Sequence, residues 1–165
     1  MSLPQGFRLR AARVDEAAQV RDVMLRCWTG TVAENSSAYR ETVEDIAGQI
    51  ARGGAVLLFC GEEAVGGGRF HPVPGPAGDA RPWAEIKRVG VTQEQRKLGL
   101  GAPLVAALED AARAQGYAGA QLGVREDQPR LVRFWEGLGY RLADDVRLHT
   151  VNPLTPPPFT MRKWF

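Results

Sequence analysis

The chain has 165 residues, of which 44% are hydrophobic and 24% charged, with a formal net charge of +2. That size and balance suit one globular domain with an ordinary core and exclude a disordered chain. No apolar stretch reaches the ~18 residues of a membrane span, and Met1 to Gly6 lack the basic-then-apolar pattern of a signal peptide, so the cytosol is the expected compartment.

Phe7 to Arg10 reads as a short first strand. Asp15 is placed to cap a helix whose apolar positions Val20, Val23, Met24 and Cys27 recur at helical spacing. Trp28 to Tyr39 is polar and small, hence a loop with aromatics. Thr42-Val43-Glu44-Asp45 carries the capping pattern of a second helix, with Val43, Ile46, Ala47 and Ile50 inward and Gly53-Gly54 ending it. The apolar run Ala55 to Cys60, the turn Gly61-Glu62-Glu63 and the glycine-loosened run Ala64 to Phe70 predict a β-hairpin.

Residues 71–83 carry Pro72, Pro74, Pro76 and Pro82 and read as a long loop. Ala84 to Val91 is a central strand. A helix beginning near Pro103 turns Leu104, Val105, Leu108, Ala111 and Ala112 to one side and ends at Gly116. Ala118 to Val124 is a further strand. Pro129 opens a helix with the stripe Leu131, Phe134, Trp135 and Leu138, and Gly139 stops it. Pro153 to Pro158 is a rigid connector before a last strand, Phe159 to Phe165. This order predicts an α/β (or α+β) fold with a mixed sheet, a single domain over residues 1–165.

The segment from Val91 to Ala102 (VTQEQRKLGLGA) joins the central strand to the next helix. Strand, glycine turn and helix N-terminus together make a phosphate site, because the first helical N–H groups lack partners and the macrodipole is positive there. Gly99 and Gly101 are expected to remove side chains where an anion approaches, and Arg96 adds a full positive charge at the mouth. No Gly-Lys-Ser/Thr follows, which excludes a Walker loop. No Gly-x-Gly-x-x-Gly opens a helix, which excludes a dinucleotide fingerprint.

The order Arg96-x-x-Gly99-x-Gly101 after a strand resembles the acetyl-CoA pyrophosphate loop of the GNAT superfamily of acyl-CoA N-acyltransferases. Glu85-Ile86-Lys87-Arg88-Val89-Gly90-Val91 is similar to that family's central strand, and Gln128 to Tyr140 to its second signature. The resemblance covers nearly the whole chain and implies the GNAT fold, with about six to seven strands and four helices. It implies transfer of an acetyl group from acetyl-CoA to a primary amine, by direct attack in a ternary complex. The backbone of Leu98, Gly99, Gly101 and Ala102 would hold the pyrophosphate, with Arg96 at its edge. Val89 and Val91 would pair with the pantetheine arm as a strand edge does, and the Val91 N–H would face the oxyanion.

The resemblance also implies that Glu85, eleven residues before Arg96, is the general base working through a water. Apolar neighbours predict a raised pKa for it; the bland alternative is an edge residue paired with Arg69 or Lys87. Three departures stand out. Gln128 replaces an asparagine near the pantetheine, Leu131 a small alanine, and Trp135 the tyrosine that protonates the leaving thiolate. Indole N–H is not a usable acid, so Trp135 is expected to wall the thioester against the pantetheine. Two other readings remain: a non-catalytic acyl-CoA binder, and an acyltransferase for a bulkier acyl-CoA.

His71 and His149 read as surface or locally bonded residues, and no ligand spacing indicates a metal. Cys27 and Cys60 read as reduced, buried and inert. The basic set, 18 Arg against 3 Lys, is dispersed, so neither nucleic acid nor membrane is an expected partner. Trp28, Tyr39 and Trp83 fall in segments that line the acceptor pocket of the resembled fold. There Glu34, Glu41, Glu44 and Asp45 against Arg40 suggest a cationic amine, small-molecule or peptide, unless they form a solvated face. Members of the family often pair, so a homodimer is one of the oligomeric states that the sequence leaves open.

Overall fold

Two adjacent runs within residues 54–74 form the second and third strands of a seven-stranded sheet. The computed structural model describes residues 2–30, 32–149 and 152–165. Its elements are β1 (Phe7–Ala11), α1 (Ala17–Trp28), α2 (Val43–Arg52), β2 (Gly54–Cys60), β3 (Glu63–Pro74), β4 (Pro82–Val91), α3 (Gly101–Ala114), β5 (Gly119–Val124), α4 (Arg130–Gly137), β6 (Arg141–Leu142) and β7 (Phe159–Trp164). The strand order is β1-β2-β3-β4-β5-β7-β6. Strands β4 and β5 are parallel, with α3 as their crossover, and the other pairs are antiparallel. This is the mixed α/β sheet with four helices that the sequence predicts. No helix among the described residues is long and apolar enough to cross a membrane.

β2 is apolar without alternation because both its faces are covered. Leu57 and Phe59 pack with Val20, Val23 and Cys27 of α1 and Ile46 and Ile50 of α2. Val56 faces the other layer, where Leu104, Val105 and Leu108 of α3 and Trp135 of α4 cover Ile86, Ala120 and Leu122. A buried carboxylate ties that layer together: Glu109 of α3 accepts from the Tyr140 hydroxyl at 3.0 Å and from Lys163 of β7 at 2.9 Å.

Several expectations need correction. Asp15 does not cap α1; it pairs with Arg13, and a single 3-10 turn over Val14–Glu16 leads into the helix. There Glu16 accepts from the Arg13 backbone and from Arg10. Thr42 and Asp45 do form the reciprocal cap of α2, but Val43 is 36% exposed rather than inward. The helix expected near Pro103 begins at Gly101. The loop expected at 71–83 is only 75–81: β3 runs on to Pro74 and β4 starts at Pro82. Prolines are tolerated there because β2 pairs with β3 only as far as Phe70, so Pro72 and Pro74 lie where that edge is unpaired. The short β6 carries no sequence signal. Trp83 pins the loop, donating from Nε1 to Asp79 Oδ2 at 3.1 Å.

Candidate active site

Strands β4 and β5 pair only at Ala84–Ala120 and Glu85–Gln121, and then part. Beyond Glu85 the β5-facing edge of β4 has no strand partner among the described residues. Thr92 N–H donates to Val65 O on the β3 side, at 2.8 Å. Successive strand residues send their N–H groups to opposite edges, so those of Val91 and Val89 point into the wedge. Their side chains pack inward, Val89 against the α3 layer and Val91 beside Leu58 and Leu100. Both valines therefore serve the core and present their backbone to the wedge.

At the end of β4 stands the glycine turn. The N–H groups of Lys97, Leu98, Gly99 and Leu100 find no acceptor among the described residues. Those of Gly101 and Ala102 lie in the first turn of α3, where no intrahelical acceptor exists. Lys97 and Gly99 both take left-handed backbone, φ 69° and 73°, which curls the segment into a nest of donors suited to an anion. Leu98 is 49% exposed, whereas Leu100 is buried beneath the turn against Leu58 and Val65.

The reason for the glycines differs from the expected one. A Cβ on Gly99 would meet nothing within 4 Å, so Gly99 is required for its φ. A Cβ on Gly101 would stand 3.1 Å from the Phe134 ring, so Gly101 admits α4 rather than an anion. Arg96 is also placed differently: its Nη2 donates to Cys27 O at 2.8 Å, tying the turn to the end of α1. Gln128 is half-buried between β5 and α4, with its N–H on Arg125 O at 3.0 Å. Trp135 is 8% exposed, its ring edge-on to Tyr140 at 5.1 Å and to Phe134 at 5.3 Å, within the α3–α4 core.

The apex of the wedge is polar. Glu85, only 4% exposed, accepts from Gln121 Nε2 and from the His149 N–H, each at 2.9 Å. His71 faces it across β3 and β4, with Nε2 3.5 Å from Glu85 Oε2. Burial pushes the Glu85 carboxyl up, but His71, the His149 N–H and the Gln121 amide together hold it below the usual value. The expected raised pKa is thus reversed, and among the described residues its hydrogen bonds come from Gln121 and the His149 N–H rather than from Arg69. Nor is His71 a surface residue: it is 2% exposed, its Nε2 has no close hydrogen-bond partner among the described residues, and the exposed His149 ring meets it edge-on at 5.4 Å. Sequence reasoning missed this pairing because it took residue 71 for loop; extending the hairpin would have set His71 opposite Glu85.

The connection between α1 and α2 closes the same face of the sheet. Trp28 lies on Gly90, where a Cβ would be 2.5 Å from its ring. The Tyr39 hydroxyl donates to Trp28 O at 2.9 Å. Glu41, expected on a solvated or substrate-facing acidic patch, is instead enclosed by Arg69, Arg88 and Lys87. Cys27 is buried and its thiol is pushed up to about 11, chiefly by burial, while Cys60 is half-buried; neither is in a disulfide. No cluster of three or more His, Cys, Asp or Glu among the described residues could hold a metal. A surface groove of about 640 Å³ lies between Asp22–Thr29 and Thr92–Gln95, with Glu63 and Val65 of β3 in its wall.

Known proteins give the same picture. The model of the Acetyltransferase (GNAT) family matches residues 17–140. Comparison with curated proteins gives no match. Among solved structures, an acetyltransferase from Streptococcus agalactiae is similar, with TM-score 0.76 and 19% identity over 98% of this chain and 100% of that one. The PaiA N-acetyltransferase from Thermoplasma acidophilum, solved in complex with coenzyme A, has TM-score 0.73 and 16% identity, covering 100% of each chain. The ribosomal-protein-S18-alanine N-acetyltransferase from Escherichia coli has TM-score 0.66 and 16% identity, over 96% of this chain and 93% of that one. At these identities the likeness establishes the fold, and the family match establishes membership. The chain belongs to the GNAT acetyltransferase family.

Proposed function

We propose that the protein transfers an acetyl group from acetyl-CoA to a primary amine by direct attack in a ternary complex. The observation that carries this reading is the open edge of β4 ending in the donor-lined turn at 97–102. A pantetheine arm has amides that can extend a strand edge, and a pyrophosphate suits the nest. The free N–H groups of Val89 and Val91 and of the turn fit both parts. Acetyl-CoA supplies the acyl group already activated as a thioester.

The chain's own residues account for the rest. Val91 N–H offers a fixed donor where charge develops on the carbonyl oxygen. Glu85 and His71, at the apex, form the pair toward which the amine's proton moves as its nitrogen attacks and the carbon–sulfur bond breaks. Glu85 is ionised at neutral pH and stands 3.5 Å from His71 Nε2, so its charge would stabilise an imidazolium formed there. The leaving thiolate, with a pKa near the ~8.5 of a cysteine, needs no strong protein acid, which accommodates Trp135. Release of free thiol from acetyl-CoA across a panel of amines tests the reading. Amine-dependent release supports it; binding of acetyl-CoA with no release for any amine favours a non-catalytic acyl-CoA binder.

A further inference from the structure

Three cations crowd one carboxylate on the face of the sheet covered by α1 and α2. Arg69 is 1% exposed; it donates from Nε to Gln49 Oε1 at 2.6 Å and from Nη2 to Glu41. Arg88 donates from Nε to Glu41 Oε1 at 2.5 Å and from Nη2 to Ser37 Oγ at 2.8 Å. Lys87 Nζ stands 3.9 Å from Glu41 Oε2. The next acid along β4, Glu85, is engaged by Gln121, His149 and His71. Three positive charges face Glu41 in a mostly buried place, where charge is costly, and Glu85 offsets Lys87 in part. A clamp between this connection and the sheet would need one cation per carboxylate.

Lys87 registers the crowding. Burial first, then Arg88 and Arg69, draw its ammonium down to about 8 even with Glu41 and Glu85 acting on it.

The backbone adds a second observation. Strand alternation would send Arg88 to the α3 side, opposite Lys87. Instead Gly67 pairs with Gly90 and Arg69 with Lys87, so Gly68 alone opposes both Arg88 and Val89. At this bulge Arg88 takes φ 58°, a left-handed conformation that is unfavourable for an L-residue. The bulge turns two consecutive cations to one face. With Nε and Nη2 committed, Arg88 Nη1 has no acceptor among the described residues, and its side chain is 16% exposed. A guanidinium fixed at two nitrogens and open at the third is a preorganised anion donor. It lies at the start of the open edge of β4, and Lys87 is only ~6–7 Å along the strand from Glu85.

We propose that Lys87 and Arg88 form a subsite for a carboxylate on the acceptor, so that the amine acylated belongs to a small amino acid. This rests on the acyltransferase reading above. It replaces the cationic amine suggested by the acids of residues 28–50, because the acid nearest the site, Glu41, is already neutralised. The acceptor's carboxylate sits between Lys87 and Arg88, and its amine reaches toward Glu85 and His71.

Two measurements test it. In the first, the straight-chain amino acids from glycine to 6-aminohexanoate are each compared with their carboxamides at equal free-base concentration, following thiol release from acetyl-CoA. The best acid should exceed its amide at least tenfold in kcat/KM, mainly through KM, and Arg88→Gln should bring that ratio below threefold. Amides turned over as well as acids would overturn the proposal and leave the acyltransferase reading standing. The second needs no turnover: glutarate and glutaramide are titrated calorimetrically into the CoA-saturated protein. Glutarate should bind at least tenfold tighter, and Arg88→Gln, checked for an intact melt, should erase the difference. Equal binding, or none by either, would overturn the subsite. If glutarate binds as expected but no amine releases thiol, the subsite stands and the acyltransferase reading falls.

Discussion

His71 and Glu85 face each other across β3 and β4, 3.5 Å apart, at the last point where β4 and β5 still touch. A buried carboxylate and a buried imidazole therefore meet where the sheet opens. Glu85→Gln should leave acetyl-CoA affinity within about twofold of wild type while lowering kcat by ~10²- to 10⁴-fold, the usual reach of general acid–base catalysis. Single-turnover rates alongside melting curves check this. A loss of rate that merely tracks a lower melting temperature would mark the pair as structural.

The pH behaviour follows from the lowered carboxyls. Glu85 and Glu41 both titrate below the ordinary glutamate value of 4.5. For Glu41 the cause is Arg69, Arg88 and Lys87 outweighing burial. Because folding depresses these values, the stability they contribute is complete above 4.5 and is lost as pH falls through their folded values. Melting temperature should hold between about pH 7 and 5 and drop below 4.5. The rise of kcat/KM between pH 6 and 9 should then follow the acceptor amine's own ionisation, with no limb from Glu85 in that range. A melting temperature that fell already between pH 7 and 5 would contradict the lowered carboxyls.

Glu41 answers for three cations, so its removal should be felt throughout this face. Glu41→Gln leaves Arg69 without its counter-ion at 1% exposure, and breaking a buried pair from one side costs ~3–5 kcal/mol. Urea denaturation should show that loss. A change under ~1 kcal/mol would mean that the cluster is well solvated.

The glycine turn separates conformation from packing. Gly99→Ala places a methyl in open space at φ 73°, so it should cost ~1–2 kcal/mol of local strain and weaken acetyl-CoA binding. Gly101→Val presses on Phe134, so melting temperature and affinity should fall together. Arg96→Ala should cost ~1.5–3 kcal/mol of stability through its bond to Cys27 O. Calorimetric titration of each variant with acetyl-CoA, set beside its melt, distinguishes these. An Arg96→Ala variant of unchanged stability and much weaker binding would restore a direct phosphate role.

Trp135 belongs to the core, on Tyr140 and Phe134. Trp135→Ala should destabilise by ~3–5 kcal/mol, while Trp135→Phe should keep most of the turnover per folded molecule. If Trp135→Phe abolished turnover with binding and stability intact, the indole would act in the chemistry.

The sequence carried the fold where local rules are strong. The Thr42–Asp45 cap, the doubly covered run of β2 and the strand–turn–helix at 84–114 all form as patterned. It misled at Pro72 and Pro74, because proline's exclusion from strands lapses on an edge that β2 has already left. That one error hid His71. The lowered Glu85 carboxyl was equally hidden, since its donors come from β3, β5 and residue 149, which no local window brings together. Likewise, the direction of Arg88 depends on a bulge set by pairing with Gly68, and alternation alone assigns it to the wrong face.

The central claim is that the open edge of β4 and the turn after it hold a CoA thioester. Backbone amide spectra of ¹⁵N-labelled protein titrated with acetyl-CoA test it residue by residue. The largest shifts should fall on Val89, Val91 and Leu98 to Ala102, with smaller ones at Gln128. Shifts confined to the groove between Asp22–Thr29 and Thr92–Gln95, or no shift at millimolar acetyl-CoA, would contradict it.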